Sequence, residues 1–172
     1  MGWGRGLHAN VGSGPLKREG DGRSPAGIFR LAQAFGAAEA LPPESAGFPY
    51  TKSLSTSYCV EDTRSAYYNQ IVDSLRVASP SWQQWSPMLR SDGLFDWGVV
   101  VEQNAPDIKK AAGSCVFLHI WRGLHRPTSG CTSMPQHELE HVIRWLDAAR
   151  EPLLVQLPEP VFQAVREAWG LP

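Results

Sequence analysis

Val116-Phe117-Leu118-His119-Ile120-Trp121 is the stretch from which the fold of this chain is read. It is apolar apart from one histidine and reads as a strand with His119 near its end. The run Val99-Val100-Val101, entered through Trp97 and Gly98, is a second strand signal because β-branched side chains suit a pleated sheet. Gly27 to Leu31 is a third extended piece. Downstream the pattern predicts a helix from Gln136 to Ala149, a strand from Leu153 to Leu157 and a terminal helix from Glu159 to Trp169. A helix is also expected over Thr63 to Val72, around Tyr67 and Ile71, whereas Ser79 to Met88 has no clear pattern. The chain therefore reads as one mixed, mainly β domain, a sheet-based core decorated by helices.

The segment after the strand at His119 ends in Pro127-Thr128-Ser129-Gly130-Cys131-Thr132. A neutral thiol is a weak nucleophile, and a nearby imidazole that takes its proton makes it a useful one. The loop can fold back to place Cys131 as nucleophile beside His119 as base. Gly130 permits a tight turn that aims backbone amides at a developing oxyanion. Arg122 and Arg126 flank the same loop, and a guanidinium fork suits a substrate bearing free carboxylates. Taken singly, His119 would read as a hydrogen-bonded core histidine and Cys131 as a small buried hydrophobe. It is their combination that points to acyl transfer.

These residues carry a resemblance. The stretch His119 to Cys131 is similar to the catalytic signature of the L,D-transpeptidase (YkuD-type) family, in which a His precedes a Ser/Thr-His-Gly-Cys element; here that element is Thr128-Ser129-Gly130-Cys131. The likeness extends to Lys17-Arg18-Glu19-Gly20-Asp21-Gly22-Arg23-Ser24-Pro25-Ala26-Gly27-Ile28-Phe29, which resembles the family's substrate-side segment ending in TPxGxF. Tyr67-Tyr68-Asn69-Gln70 and Gly113 to Trp121 resemble a divergent branch of it. Ser129 replaces the second His of better-known members, so His119 carries the base role alone. The twelve-residue separation of His119 and Cys131 is shorter than theirs, which implies a smaller lid.

The resemblance implies a single L,D-transpeptidase-like β-sandwich catalytic domain over residues 1–172 with peripheral helices. It also implies a cell-envelope location, peptidoglycan stem peptides as partners and no cofactor or metal. Cys131 would attack the carbonyl between an L-centre and the terminal D-residue, with Thr128, Ser129 and Gly130 forming the oxyanion and active-site loop. An amine acceptor, or water in a carboxypeptidase, would resolve the thioester. Met1-Gly2-Trp3-Gly4-Arg5-Gly6 is neither a charged n-region nor an apolar signal core. In the branch resembled, a signal segment and early strands precede the stretch matching Gly2 to His8, and are expected to be missing here.

Two other motifs compete. His137-Glu138-Leu139-Glu140-His141 satisfies H-E-x-x-H, which on a helix could hold zinc with Glu138 as base. However, Leu139, Val142, Ile143 and Leu146 form the apolar stripe, both histidines fall outside its centre, and no third-ligand pattern follows, so a solvated helix face is expected. Gly12-Ser13-Gly14-Pro15-Leu16-Lys17 suggests a phosphate loop but lacks the Gly-Lys-Ser/Thr ending. A third hypothesis is a cell-wall binding module that has kept the fold and lost the activity.

With 172 residues, 42% of them hydrophobic, the chain suits one ordinary core. Sixteen basic and 17 acidic residues give a net charge of −1 with no basic stripe, so no nucleic-acid partner is expected. No apolar run reaches the length of a membrane span. Of three cysteines Cys131 is expected to be free; Cys59 and Cys115 are expected as separate buried thiols, with a bridge between them as the alternative. Trp82 and Trp85 could line a glycan groove, although packing is the expected role of large aromatics.

Overall fold

A single long strand organises the sheet. In the computed structural model, which describes residues 1–8, 14–45 and 47–172, strand β2 spans Pro25–Gly36 and is buried along most of its length. The remaining strands are β1 (Gly2–Trp3), β3 (Tyr50–Lys52), β4 (Ser57–Val60), β5 (Ile71–Asp73), β6 (Trp85–Pro87), β7 (Trp97–Val101), β8 (Phe117–Ile120), β9 (Thr132–Met134) and β10 (Leu153–Gln156); the helices are α1 (Gln136–Trp145) and α2 (Glu159–Val165). The larger sheet follows the order β1-β2-β7-β8-β9, with β10 and β3 also paired to β2, and a smaller sheet follows β5-β4-β6. The mainly β reading holds, with parallel and antiparallel pairs mixed in the larger sheet.

The larger sheet is covered on both faces, which is why its central strands read as unbroken apolar runs rather than alternating ones. On one face Phe29, Leu31, Ala34, Val99, Val101 and Leu118 pack against Leu139, Ile143 and Leu146 of the α1 region. The register of β2 against β7 shifts between Leu31 and Gln33, and this irregularity lets Leu31 and Ala34 share that face despite their odd spacing. On the other face Phe35 and Phe117 meet Cys59, Met88, Leu94, Phe95 and Cys115. Strand alternation puts Phe117 and His119 together on this second face, opposite Leu118.

Cys59 and Cys115 form a disulfide, with a sequence separation of 56 residues. The expectation of two separate thiols is therefore corrected: Cys115 has φ 54° and its amide donates to Asn69 Oδ1 at 2.9 Å, a turn that carries its side chain back to β4. The helix expected over Thr63 to Val72 is also absent. Those residues form turns leading into β5; Tyr68, not Tyr67, is the fully buried ring, and Asn69 at φ 62° breaks any helical run.

The helix at Gln136 is shorter than expected, ending at Trp145 before a 3-10 turn at Ala148–Arg150. The terminal helix ends at Val165. Gly12 and Ser13 of the glycine-rich opening lie outside the described residues. No helix among the described residues is long and apolar enough to cross a membrane.

Candidate active site

β8 and β9 run parallel, with Leu118 opposite Thr132 and His119 opposite Ser133. This register sets Cys131, one residue before β9, level with Phe117, so the loop between them returns the cysteine to the face of the sheet that carries His119. The thiol marks the junction: the Phe117 amide donates to Cys131 Sγ at 3.4 Å, and Sγ–H donates to the Cys115 carbonyl at 3.5 Å. Cys131 is free and half-buried.

His119 is 7% exposed and stands edge-on to Phe95, with ring centroids 5.3 Å apart. Its Nδ1 lies 2.6 Å from the Ile120 carbonyl. A carbonyl only accepts, so in the neutral ring Nδ1 carries the hydrogen and Nε2 keeps a lone pair. Gly98 faces His119 across β7 and β8, and a Cβ there would fall 2.2 Å from the Phe35 ring. Glycine at 98 thus lets Phe35 lie over the strand beside Phe117.

The residues singled out in the sequence come together around one cavity of about 280 Å³, lined by His119, Cys131, Thr128, Ser129, Gly130, Arg122 and Arg126. Thr128 fixes the loop: its hydroxyl donates to the Cys131 carbonyl at 2.6 Å and accepts from the Gly130 amide at 3.2 Å. Ser24 also donates to the Cys131 carbonyl, at 3.4 Å, so the Lys17 to Phe29 segment lies against the cysteine loop. Gly130 has φ 135°, and a Cβ there would sit 2.9 Å from the Arg23 carbonyl oxygen. Gly130→Ala is accordingly expected to cost about 1–3 kcal/mol, typical of a forced backbone. Thermal denaturation would register this as a lowered midpoint, and an unchanged midpoint would refute the constraint.

The surroundings of the thiol and of the imidazole both favour their neutral forms. Burial pushes the Cys131 thiol up to about 11; Glu61 adds to the rise, while the Phe117 amide and Lys17 oppose it. Burial holds His119 below its ordinary value, with the Arg90 and Arg122 cations acting in the same direction and the Ile120 hydrogen bond and Asp92 opposing. The resting pair is thus thiol and imidazole, not thiolate and imidazolium. Alkylation of Cys131 by iodoacetamide is expected to rise toward pH 11. Near neutrality it is expected to run about a hundredfold slower than for an ordinary thiol, since the thiolate is the nucleophile. An alkylation profile with its inflection at or below pH 9 would contradict this.

Sequence reasoning missed much of the cavity's charged wall. Lys17, buried and paired with Asp21 at 2.5 Å, lines the cavity together with Glu19, Glu61, Ser86, Arg90 and Ser114. Glu19 accepts from Ser114 Oγ at 2.7 Å and from the Tyr68 hydroxyl, while Glu61 accepts from Ser86 Oγ at 2.7 Å. Burial raises Glu61 above the usual carboxylate range, and the charge of Glu19 adds to that rise. Lys17 and Glu19 lie within the segment already singled out. Nothing in sequence spacing marks Glu61 or Arg90.

His137, Glu138 and His141 do not join this cavity. They stand exposed on α1, whose buried residues are Leu139 and Ile143, and no group of three or more His, Cys, Asp or Glu positioned to hold a metal occurs among the described residues. Trp82 and Trp85 also lie apart, packing edge-on against Tyr67 and Tyr58 at 5.9 and 6.2 Å. No model of a protein family, no curated protein and no solved structure matches this chain.

Proposed function

We propose that this protein is a cysteine acyltransferase of the L,D-transpeptidase (YkuD-type) kind, built on that family's β-sandwich and acting on peptidoglycan stem peptides. The observation that carries the reading is one cavity holding both Cys131 and His119, with the imidazole Nε2 left free to accept a proton. In the first half-reaction Sγ attacks the carbonyl between an L-centre and the terminal D-residue, while Nε2 takes the thiol proton. The Gly130 amide is already engaged by Thr128, so the Cys131 amide is assigned to the oxyanion. The C–N bond then breaks, the imidazolium returns its proton to the leaving amine, and a thioester remains. An acceptor amine attacks the thioester, and its proton passes through His119 to the departing thiolate. Water in the same position gives a carboxypeptidase.

Further support comes from the surroundings of the site. Arg122 and Arg126 stand exposed at the cavity, where a forked guanidinium can grip a stem-peptide carboxylate. The Cys59–Cys115 bridge suits an oxidising compartment, in keeping with a periplasmic or extracellular cell-envelope site of action. The test is mass spectrometry of muropeptides bearing tetrapeptide stems, incubated with the wild-type chain and with Cys131→Ala. Cross-linked products, or loss of the terminal residue, should appear only with the wild type.

The neutral, half-buried thiol favours a second reading, a cell-wall binding module without turnover. Such a module would retain muropeptide affinity after Cys131→Ala and yield no product with either protein.

A further inference from the structure

A second cavity, of about 880 Å³, opens beside β1 and the 105–112 loop. Its wall gathers Arg5, Arg18, Arg30, Lys109 and Lys110, in addition to Lys17, against the single carboxylate of Asp107 among the described lining residues. The chain as a whole carries a charge of −1, so this is a concentration of cations on one concave surface, not a general excess. Among the described residues none of those five cations takes part in an ion pair, whereas Lys17 is held by Asp21. Like charges in a concave site reinforce one another and raise the local concentration of anions.

Two of these residues, Arg5 and Lys109, are mounted on a common frame, while Lys110 donates to the Ser65 carbonyl and lies over the Tyr68 ring. Asn104, 1% exposed, accepts from Arg5 Nε at 3.1 Å and from the Lys109 amide at 2.9 Å, and its Nδ2 donates to the Lys109 and Gly113 carbonyls. Arg5 Nη2 donates to the Asp107 carbonyl at 3.3 Å. The Arg5 guanidinium is therefore held by neutral acceptors and the Lys109 backbone by the neutral Asn104 side chain, so neither set of bonds offsets the charge of the Arg5 or Lys109 side chain. Leu7 and Leu16, 49% and 55% exposed, add apolar surface to the same cavity.

We propose that this cavity binds an oligoanion, a ligand bearing two or more phosphate or carboxylate groups on a body that covers Leu7 and Leu16. The inference is independent of the acyltransferase reading, since it uses neither Cys131 nor His119. Its test is isothermal titration of the full chain with inorganic tripolyphosphate and, separately, with citrate. Comparison proteins are Arg18→Gln and Lys109→Gln, both at exposed positions.

Binding to the wild type is expected to weaken about tenfold with each substitution, the loss typical of one charge-assisted hydrogen bond, and to fall with added salt. The rate of Cys131 alkylation should not change. The tighter of the two probes identifies the anionic group. Absence of heat with both probes, or equal affinity in wild type and variants, would overturn the proposal.

Discussion

On the proposed acyl-transfer mechanism, turnover of tetrapeptide-stem muropeptides is expected to fall by at least about three orders of magnitude in Cys131→Ala, because Cys131 carries the free thiol of the cavity. His119→Ala should lose about as much, and the double variant little more, since a nucleophile and its base act as one unit. The pH dependence has a definite sign. Burial and the Arg90 and Arg122 cations lower His119 from its ordinary 6.5, so the ring stays neutral, and therefore basic, through pH 6.5 and below. The acid limb of kcat/KM should accordingly lie below pH 6.5. An acid limb above that value, or full activity in Cys131→Ala, would remove the mechanism.

Loss of the Cys59–Cys115 bridge is expected to have the largest effect on stability. The bridge joins residues 56 apart, and closing a loop of that size restrains the unfolded chain by about 4 kcal/mol. At about 2–4 °C per kcal/mol for a chain of this length, Cys59→Ala with Cys115→Ala should lower the melting midpoint by roughly 10 °C. The consequence reaches the site, because the bridge anchors Cys115, whose carbonyl accepts from the Cys131 thiol and whose side chain packs with Phe117. Calorimetry of the oxidised and reduced protein provides the measurement. Equal midpoints would show that the β4 sheet is held in place by packing alone.

Those elements whose signal is local were legible in the sequence. Val99 to Val101 and Val116 to Trp121 announce β7 and β8 because both faces of the sheet are buried there, and the Leu139 and Ile143 spacing announces α1. What escaped depends on partners far along the chain. β9 is Thr132-Ser133-Met134, a short stretch whose one apolar residue, Met134, gives no periodic signal, and it pairs as a strand along the edge of β8. Tyr67 and Ile71 mimic a helical repeat, yet the segment is ruled by Asn69, whose amide bonds the carbonyls of Gln103 and Asn104.

The candidate site divides in the same way. Cys131, His119 and the loop at Thr128 were visible from residue chemistry and spacing. Glu61 and Arg90 reach the cavity only through the packing of the small sheet and the Leu94–Phe95 turn onto Phe117.

The pairing of β10 with β2 sets an order of events during synthesis. Leu153 to Gln156 register against Arg30 to Gly27, so the early half of the central strand has no partner along that side until β10 itself has emerged. Contacts between such distant segments form slowly. Until they do, Gly27 to Arg30 present an unpaired edge, the kind of surface that recruits strands from other chains. A nascent intermediate lacking β10 would thus be the form of this protein most in need of a chaperone.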